Sequence, residues 1–363
     1  MGRQQTAETR IALEQVQAYL RRTYPDAVIE AMRPLGQETQ AGLKSFGYGR
    51  PLRVTFTTLG ARRDVVVRTM SPDPFGHDRR SDRGGAMLDA FDTFNQFPRH
   101  VRALDIGAFH DDGSMLPIGR GEIFLVTEYV EGDLYARDLQ DLTTRDTARP
   151  LDLQRAEALA QFLAETHRVV AEPERYRRHV RDTLGGGEGI LGLCDSYPAD
   201  TPGAPRQRLL GLATQALTWR WKLYAHEKRA RRTHGDFHPF NILFRQGTDF
   251  SVLDCSRGGC GEPADDVTCL AVNYLFFALS RRPRFDGALR ELWDRFWQTY
   301  LDASGDSALL TVAPLYFAWR LLVLASPTWY PNLEVTVRDR LLTFAERLLA
   351  AERFEAFTVD RWL

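Results

Sequence analysis

Part-way along the chain the apolar residues change their spacing, and that change limits the folds open to it. LRVTFTT (52–58) and DVVVRTM (64–70) are dense in β-branched and aromatic residues and are separated by a turn at Leu59-Gly60-Ala61, the pattern of a β-hairpin. Residues 100–109 and GEIFLVTEYV (121–130) read as further strands, and 11–22 (IALEQVQAYLRR) and 82–96 as helices. Beyond about residue 131 the period becomes helical. LDLQRAEALAQFLAETHRVV (151–170) sets Leu153, Ala156, Leu159, Ala160 and Leu163 on one face, with Asp152 as the expected N-cap. Further helices are expected over 205–229, 264–280, 286–303, 308–325 and 334–353, with a glycine-rich GGGEG loop at 185–189 and a short β segment at 241–254. The expectation is an α+β chain: a β-rich part over 1–126, a joint at 127–131, and a helical part over 132–363.

Composition removes several classes of function. The chain has 363 residues, enough for one large or two ordinary domains, and its 44% apolar and 26% charged residues are those of a globular protein. A net charge of −1 supplies no basic field for nucleic acid and no acidic field for a polycation. Four cysteines (Cys194, Cys255, Cys260, Cys269) make no disulfide scaffold, so reduced thiols and a cytoplasmic setting are expected. The longest apolar run, Leu270 to Leu279, contains Asn273 and is too short to span a bilayer, so no membrane association is expected. The first ten residues lack an apolar signal core; Gly2 and Thr6 fit the loose N-myristoylation pattern, which short sequences often match by chance.

The chemistry concentrates at THGDFHPFNILF (233–244). Asn241-Ile-Leu-Phe244 reads as one short strand, Arg245 to Asp249 as a turn with Gly247, and Phe250 to Asp254 as the return strand. That pairing sets Asn241 roughly opposite Asp254, two oxygen donors of the kind Mg²⁺ takes. Asp236 lies five residues upstream, in a loop that Pro239 keeps from becoming helix, and is placed to project beside them. A free carboxylate beside a magnesium pair suits phosphoryl transfer: the metal holds phosphate oxygens, and the carboxylate orients an acceptor hydroxyl and takes its proton. Two other readings are weaker. A zinc site of His234, His238, Cys255 and Cys260 is opposed by Gly235 and Pro239, which break the helix a His pair would need. A surface turn leaves the matched Asn241 and Asp254 unexplained.

His234-Gly-Asp-Phe-His-Pro-Phe-Asn241, followed by Val252-Leu-Asp254 and Gly261-Glu-Pro-Ala-Asp-Asp266, resembles the catalytic loop and metal strand of the aminoglycoside and choline kinase-like small-molecule phosphotransferases. The resemblance implies a bilobal protein-kinase-like fold, with Asp236 as catalytic base, Asn241 and Asp254 as Mg²⁺ ligands, Asp266 as a structural tie to the following helix, and His234 bracing the loop. It implies ATP or GTP as co-substrate. A basic residue on an N-terminal strand then holds the donor phosphates; Arg68 takes that place where lysine is commoner, with Lys44 as competitor. Its acidic partner is Asp82 or Asp89. The stretch 42–49 reads equally as a phosphate-covering loop and as a plain turn, and Glu128 to Val130 would present backbone to adenine. The sequence departs from the family at Cys255-Ser-Arg257, where an aromatic or apolar residue usually follows the metal aspartate; Arg257 is open to a phosphate, a substrate anion or Asp265.

The resemblance implies a small-molecule hydroxyl as the acceptor. The last helices balance Arg281, Arg282, Arg284, Arg290, Arg295 and Arg320 against Asp286, Glu291, Asp294 and Asp302, which argues mildly against an aminoglycoside polycation. Trp293, Trp297, Tyr300, Tyr316 and Trp319 read as helix core in preference to a pocket for a sugar face or a quaternary ammonium, and Trp329 and Tyr330, in the non-helical SPTWYPNL, as pocket residues. The GGGEG loop is either a mobile cover or a linker. A kinase-fold regulatory protein that binds nucleotide without turnover is the alternative, favoured by Arg68 and the weak glycine loop. A protein-substrate kinase is disfavoured by the lack of a long activation loop.

Overall fold

A computed structural model describes residues 11–35, 48–49, 51–72, 77, 80–110, 112–118, 122–255, 257 and 259–363. Gly2, Thr6, Lys44 and positions 42–47 lie outside the described residues. The chain divides into two compact units, Met1–Val130 and Glu131–Leu363.

In the first unit, α1 (Leu13–Thr23) precedes β1 (Val28–Pro34), β2 (Leu52–Thr58) and β3 (Ala61–Arg68); α2 (Arg80–Phe94) leads to β4 (Ala103–Phe109), β5 (Met115–Pro117) and β6 (Glu122–Glu128). The strands form one antiparallel sheet in the order β1-β2-β3-β6-β4-β5. The β2–β3 hairpin turns at Leu59–Gly60, both with positive φ. Alternate residues of neighbouring strands, Val54 and Phe56, Val65 and Val67, Phe124 and Val126, bury one face against Val16, Tyr19 and Leu20 of α1. Helix α2 packs on β4 and β6.

The second unit opens with β7 (Asp133–Leu134) and α3 (Tyr135–Leu142), followed by α4 (Pro150–Thr166), α5 (Pro173–Gly185), α6 (Ile190–Ser196) and α7 (Arg206–Tyr224). The strands β8 (Arg231–Arg232), β9 (Ile242–Phe244), β10 (Phe250–Val252) and β11 (Cys260–Gly261) are short; helices α8 (Pro263–Leu279), α9 (Ala288–Ser304), α10 (Leu309–Ala325) and α11 (Val335–Ala350) complete it. Helix α4 begins at Pro150, three residues earlier than Asp152 as N-cap requires. Asp152 stands in the first turn and reaches back to accept from the Arg149 N–H at 2.8 Å.

Helix α8 is buried along its whole length, packed by α9 and α10, which is why the run 270–279 is so apolar. None of the helices among the described residues is long and apolar enough to cross a membrane. Trp293 and Trp297 of α9 pack with Phe317 and Phe354, and Tyr300 and Tyr316 are buried too, so these aromatics are core. Pro314 interrupts α10 and cannot donate to Leu310; the freed Leu310 carbonyl accepts from Phe354 N–H at 2.9 Å, which recruits the C-terminal segment to the core.

Gly261 is a point of close approach. A Cβ there would stand 2.6 Å from the His179 ring, which is itself buried and stacked on Tyr316. Gly261→Ala is therefore expected to cost about 1–3 kcal/mol through overpacking, read as a lower urea midpoint with an unchanged slope; an unaltered midpoint would show that the ring moves aside freely.

Candidate functional site

The loop 233–241 is built by its punctuation residues. Gly235 has φ +80°, a left-handed conformation, and a Cβ there would approach the Arg257 Cβ to 2.9 Å. Pro239 starts a single 3-10 turn, Pro239–Asn241, which His238 caps by accepting from Phe240 N–H at 3.1 Å. The strands that follow are shorter than the sequence pattern suggests. Ile242 pairs with Val252, and Leu253 N–H donates to the Asn241 carbonyl at 2.8 Å. Asn241 thus faces Leu253, and Asp254 lies one residue further on than the expected opposite position, because the turn at Pro239 takes Asn241 out of the strand. Asp254 has φ +60°, uncommon for a residue with a side chain and a conformation that costs about 1–3 kcal/mol. Arg155 of α4 steadies the far end of the hairpin through the carbonyls of Gly247 (3.0 Å) and Arg245 (3.2 Å), and β7 flanks β9.

Asp266, in the first turn of α8, is fully buried and holds the loop from below. Its carboxylate accepts from the backbone N–H of His234 and of Gly235, each at 2.7 Å, and from His167 Nε2 at 3.1 Å. Burial alone would raise its pKa; the His167 hydrogen bond and the neighbouring imidazole and amide groups outweigh it and lower the carboxyl below its ordinary value. His234 is buried against Phe237, its Nδ1 accepts from Asp236 N–H at 3.3 Å, and burial lowers its pKa, which keeps it neutral.

Asp236 is gripped by two arginines and an imidazole. Arg320 Nη1 donates to its Oδ1 at 2.9 Å, Arg257 Nη2 stands 3.7 Å from the same oxygen, and His238 Nε2 is 3.4 Å from Oδ2. Burial pushes the carboxyl up, but Arg257, His238 and Arg320 together hold it well below the usual carboxylate range, so it is ionised at neutral pH. Arg257 also reaches Glu188 at 3.3 Å. Glu188 belongs to the GGGEG segment, which joins α5 to α6. It is a close backbone turn from α5 into α6: Cβ atoms at Gly186 and Gly189 would meet the Asp182 carbonyl at 2.7 and 2.5 Å. The Glu188 carbonyl accepts from the Trp319 indole at 2.8 Å.

The Asn241 side-chain nitrogen donates to the Asp236 carbonyl at 3.1 Å, which commits the amide nitrogen to the protein and leaves the amide oxygen as the atom suited to a cation. Asp254 lies one position beyond the residue that faces Asn241, and an amide oxygen and a carboxylate are the hard donors that would suit Mg²⁺. Among the described residues no group of three or more His, Cys, Asp or Glu side chains could hold a metal ion, so His234, His238, Cys255 and Cys260 do not gather as a zinc site. Cys255 is buried, its thiol pushed up by that burial.

In the first unit Arg68 ends β3, half-buried, its backbone paired with Leu125. Asp82 is in the first turn of α2 and half-buried, whereas Asp89 is exposed. Glu128 ends β6 and accepts from Arg102 N–H at 3.1 Å; Val130 follows, half-buried. In the second unit Trp329 and Tyr330 are buried. Tyr330 packs on Phe276 at 4.8 Å, and burial, with Cys269 and Asp236 nearby, raises its phenol above the ordinary range.

Sequence reasoning treated Arg320 only as one of several balancing charges. Its signal was available: it is the one charged residue in the 17 of α10. A lone arginine in an otherwise apolar helix needs a buried partner.

Among curated proteins none matches the sequence. Among solved structures the chain is similar to aminoglycoside phosphotransferase APH(4)-Ia, at 16% identity and TM-score 0.50 over 93% of this chain and 97% of that one. It is similar to a thermostable mutant of the same enzyme in ternary complex with ADP and hygromycin B, at 15% identity and TM-score 0.50 over the same shares. Aminoglycoside phosphotransferase APH(3'')-Id from Streptomyces rimosus aligns at 17% identity and TM-score 0.47 over 88% of this chain and 100% of that one. At these identities the likeness at TM-score 0.50 concerns the fold, which is α+β and protein-kinase-like. The model of the phosphotransferase enzyme family (APH) matches residues 43–304, more than half of the chain. With that match and the Asp236, Asn241 and Asp254 constellation in view, the chain belongs to the APH phosphotransferase family.

Proposed function

We propose that this protein transfers the γ-phosphoryl group of ATP or GTP to a hydroxyl of a small molecule. The observation that carries the reading is the joining of two groups in one turn: Asp236, kept ionised by its cationic neighbours, and Asn241, whose amide is bonded to the Asp236 carbonyl at 3.1 Å. In this reading Asp236 accepts the hydrogen bond of the acceptor hydroxyl and, as the bond to phosphorus forms, its proton. Asn241 and Asp254 would hold Mg²⁺, which when bound neutralises phosphate charge. Arg68 holds the donor phosphates, with Asp82 as its acidic partner, and the Glu128–Val130 backbone takes the adenine edge. The acceptor lies beside Asp236, flanked by Tyr330 and Trp329. The similar structures support a nucleotide and a small-molecule acceptor, since one is a complex with ADP and hygromycin B.

The test is a panel of hydroxylated metabolites and antibiotics with Mg²⁺ and either ATP or GTP, scored by ADP or GDP release and by the mass of the acceptor. Transfer is expected to need the metal and to be lost in Asp254→Ala. Nucleotide bound by the wild type with no acceptor phosphorylated would overturn the reading in favour of a regulatory protein. Transfer undiminished in Asp254→Ala would remove that residue from the metal site.

A further inference from the structure

Arg320 makes three side-chain contacts that share one purpose. Nη1 donates to Asp236 Oδ1 at 2.9 Å; Nη2 donates to the Gly235 carbonyl at 2.8 Å and to Asp265 Oδ1. The Trp319 ring covers the guanidinium at 4.0 Å, and Asp265, fully buried on α8, has its other oxygen 3.5 Å from His179 Nε2. The planar fork is thus fixed by groups on the loop, on α8 and on α10, and has little freedom to rotate.

We infer that Arg320 is a positioning residue for Asp236: it fastens Oδ1 so that Oδ2 is the oxygen offered to the acceptor hydroxyl. The inference rests on the reading of Asp236 as proton acceptor. A carboxylate has two equivalent oxygens, and a half-turn of the group exchanges them. Here the equivalence is broken. Oδ1 takes the Arg320 bond and has Arg257 at 3.7 Å, whereas Oδ2 has the longer 3.4 Å contact from His238. The second Arg320 bond, to the Gly235 carbonyl, fixes the backbone immediately before Asp236, so both ends of the side chain are set by the same guanidinium. A base must come within about 2.6–3.2 Å of the proton it takes, and a misplacement of about 1 Å costs on the order of a hundredfold in rate. Lysine has the charge but not the fork and cannot span a carboxylate, a carbonyl and a second carboxylate at once.

The experiment compares Arg320→Met, Arg320→Lys and Asp236→Asn by steady-state kinetics per folded molecule. Because Arg320→Met leaves buried Asp265 without its cation, the double variant Arg320→Met/Asp265→Asn, which removes both charges, is measured beside it. Arg320→Met and the double variant are expected to lose about a hundredfold in kcat, with nucleotide KM within about twofold of wild type. Arg320→Lys is expected to fall between, and methylguanidinium added to Arg320→Ala to restore part of kcat. A purely structural arginine would lower stability and leave kcat per folded molecule and its rescue unmoved. Turnover within about threefold of wild type in the folded variants, while Asp236→Asn is inactive, would overturn the inference and leave the function standing. Wild-type turnover in Asp236→Asn would overturn the assignment of the base, and this inference with it.

Discussion

Asp236→Ala is expected to abolish turnover while nucleotide affinity stays close to wild type. Removing a positioned proton acceptor costs about 10²–10⁴ in rate, and the groups assigned to the donor phosphates and adenine, Arg68 and Glu128–Val130, belong to the other unit. Alanine also strips Arg320 and Arg257 of the carboxylate they share, so its effect mixes chemistry with a disturbed loop. Asp236→Asn separates the two. Its amide oxygen can still accept from Arg320 Nη1, so the loop keeps its shape while the basic oxygen is lost. Similar losses in kcat for Asn and Ala, with nucleotide binding measured by calorimetry unchanged, are the expected result. Wild-type turnover in either variant would sink the assignment of the base.

Asp266→Ala has the largest effect expected on the architecture. One buried carboxylate satisfies three donors, the N–H groups of His234 and Gly235 and His167 Nε2, and His167 is held in turn by Tyr300 at 2.8 Å. Each donor left unsatisfied costs about 1–3 kcal/mol, so a total loss of about 3–5 kcal/mol is expected from urea unfolding. Turnover should fall as well, because the two amides lost belong to residues next to Asp236. Asp266→Asn can accept only through one oxygen and should be intermediate. The pH dependence has a definite sign. The folded carboxyl titrates below its ordinary value of about 3.9, so the stability it contributes is complete above that value and is lost as pH falls through the lower, folded pKa. The gap in stability between wild type and Asp266→Asn should therefore be full at pH 7 and shrink below about pH 4. A gap that grew on acidification would contradict the ionised, multiply bonded state of Asp266.

The loop 233–241 was legible because its residues act locally. Gly235 permits a positive φ, Pro239 imposes a turn, and His238 caps it within two residues, so their sequence order carries their geometry. The hairpin was legible in outline and off by one in register. Strand periodicity does not say where a turn releases the chain, and Asn241 is spent on the turn before β9 begins. The Asp152 cap was misplaced for a related reason: Pro150 already supplies the first helical residue. Trp329 and Tyr330 stood out as aromatics between prolines, yet both are buried, and Tyr330 packs on Phe276 of α8, more than fifty positions away along the chain.

The amino-acid order alone determined the switch from strand to helix near residue 131, the Gly-Asp…His-Pro…Asn turn and the hairpin that returns to Asp254, since each depends on neighbours within about a dozen residues. Tertiary structure decided which charges meet. Arg320, Asp265 and Asp236 lie on two helices and a loop, up to 84 positions apart in sequence. Only the packing of α8 against α10 brings them into one buried cluster. Helical spacing reports which face of a helix is apolar; it carries no information about the polar partner that a lone arginine finds across the core.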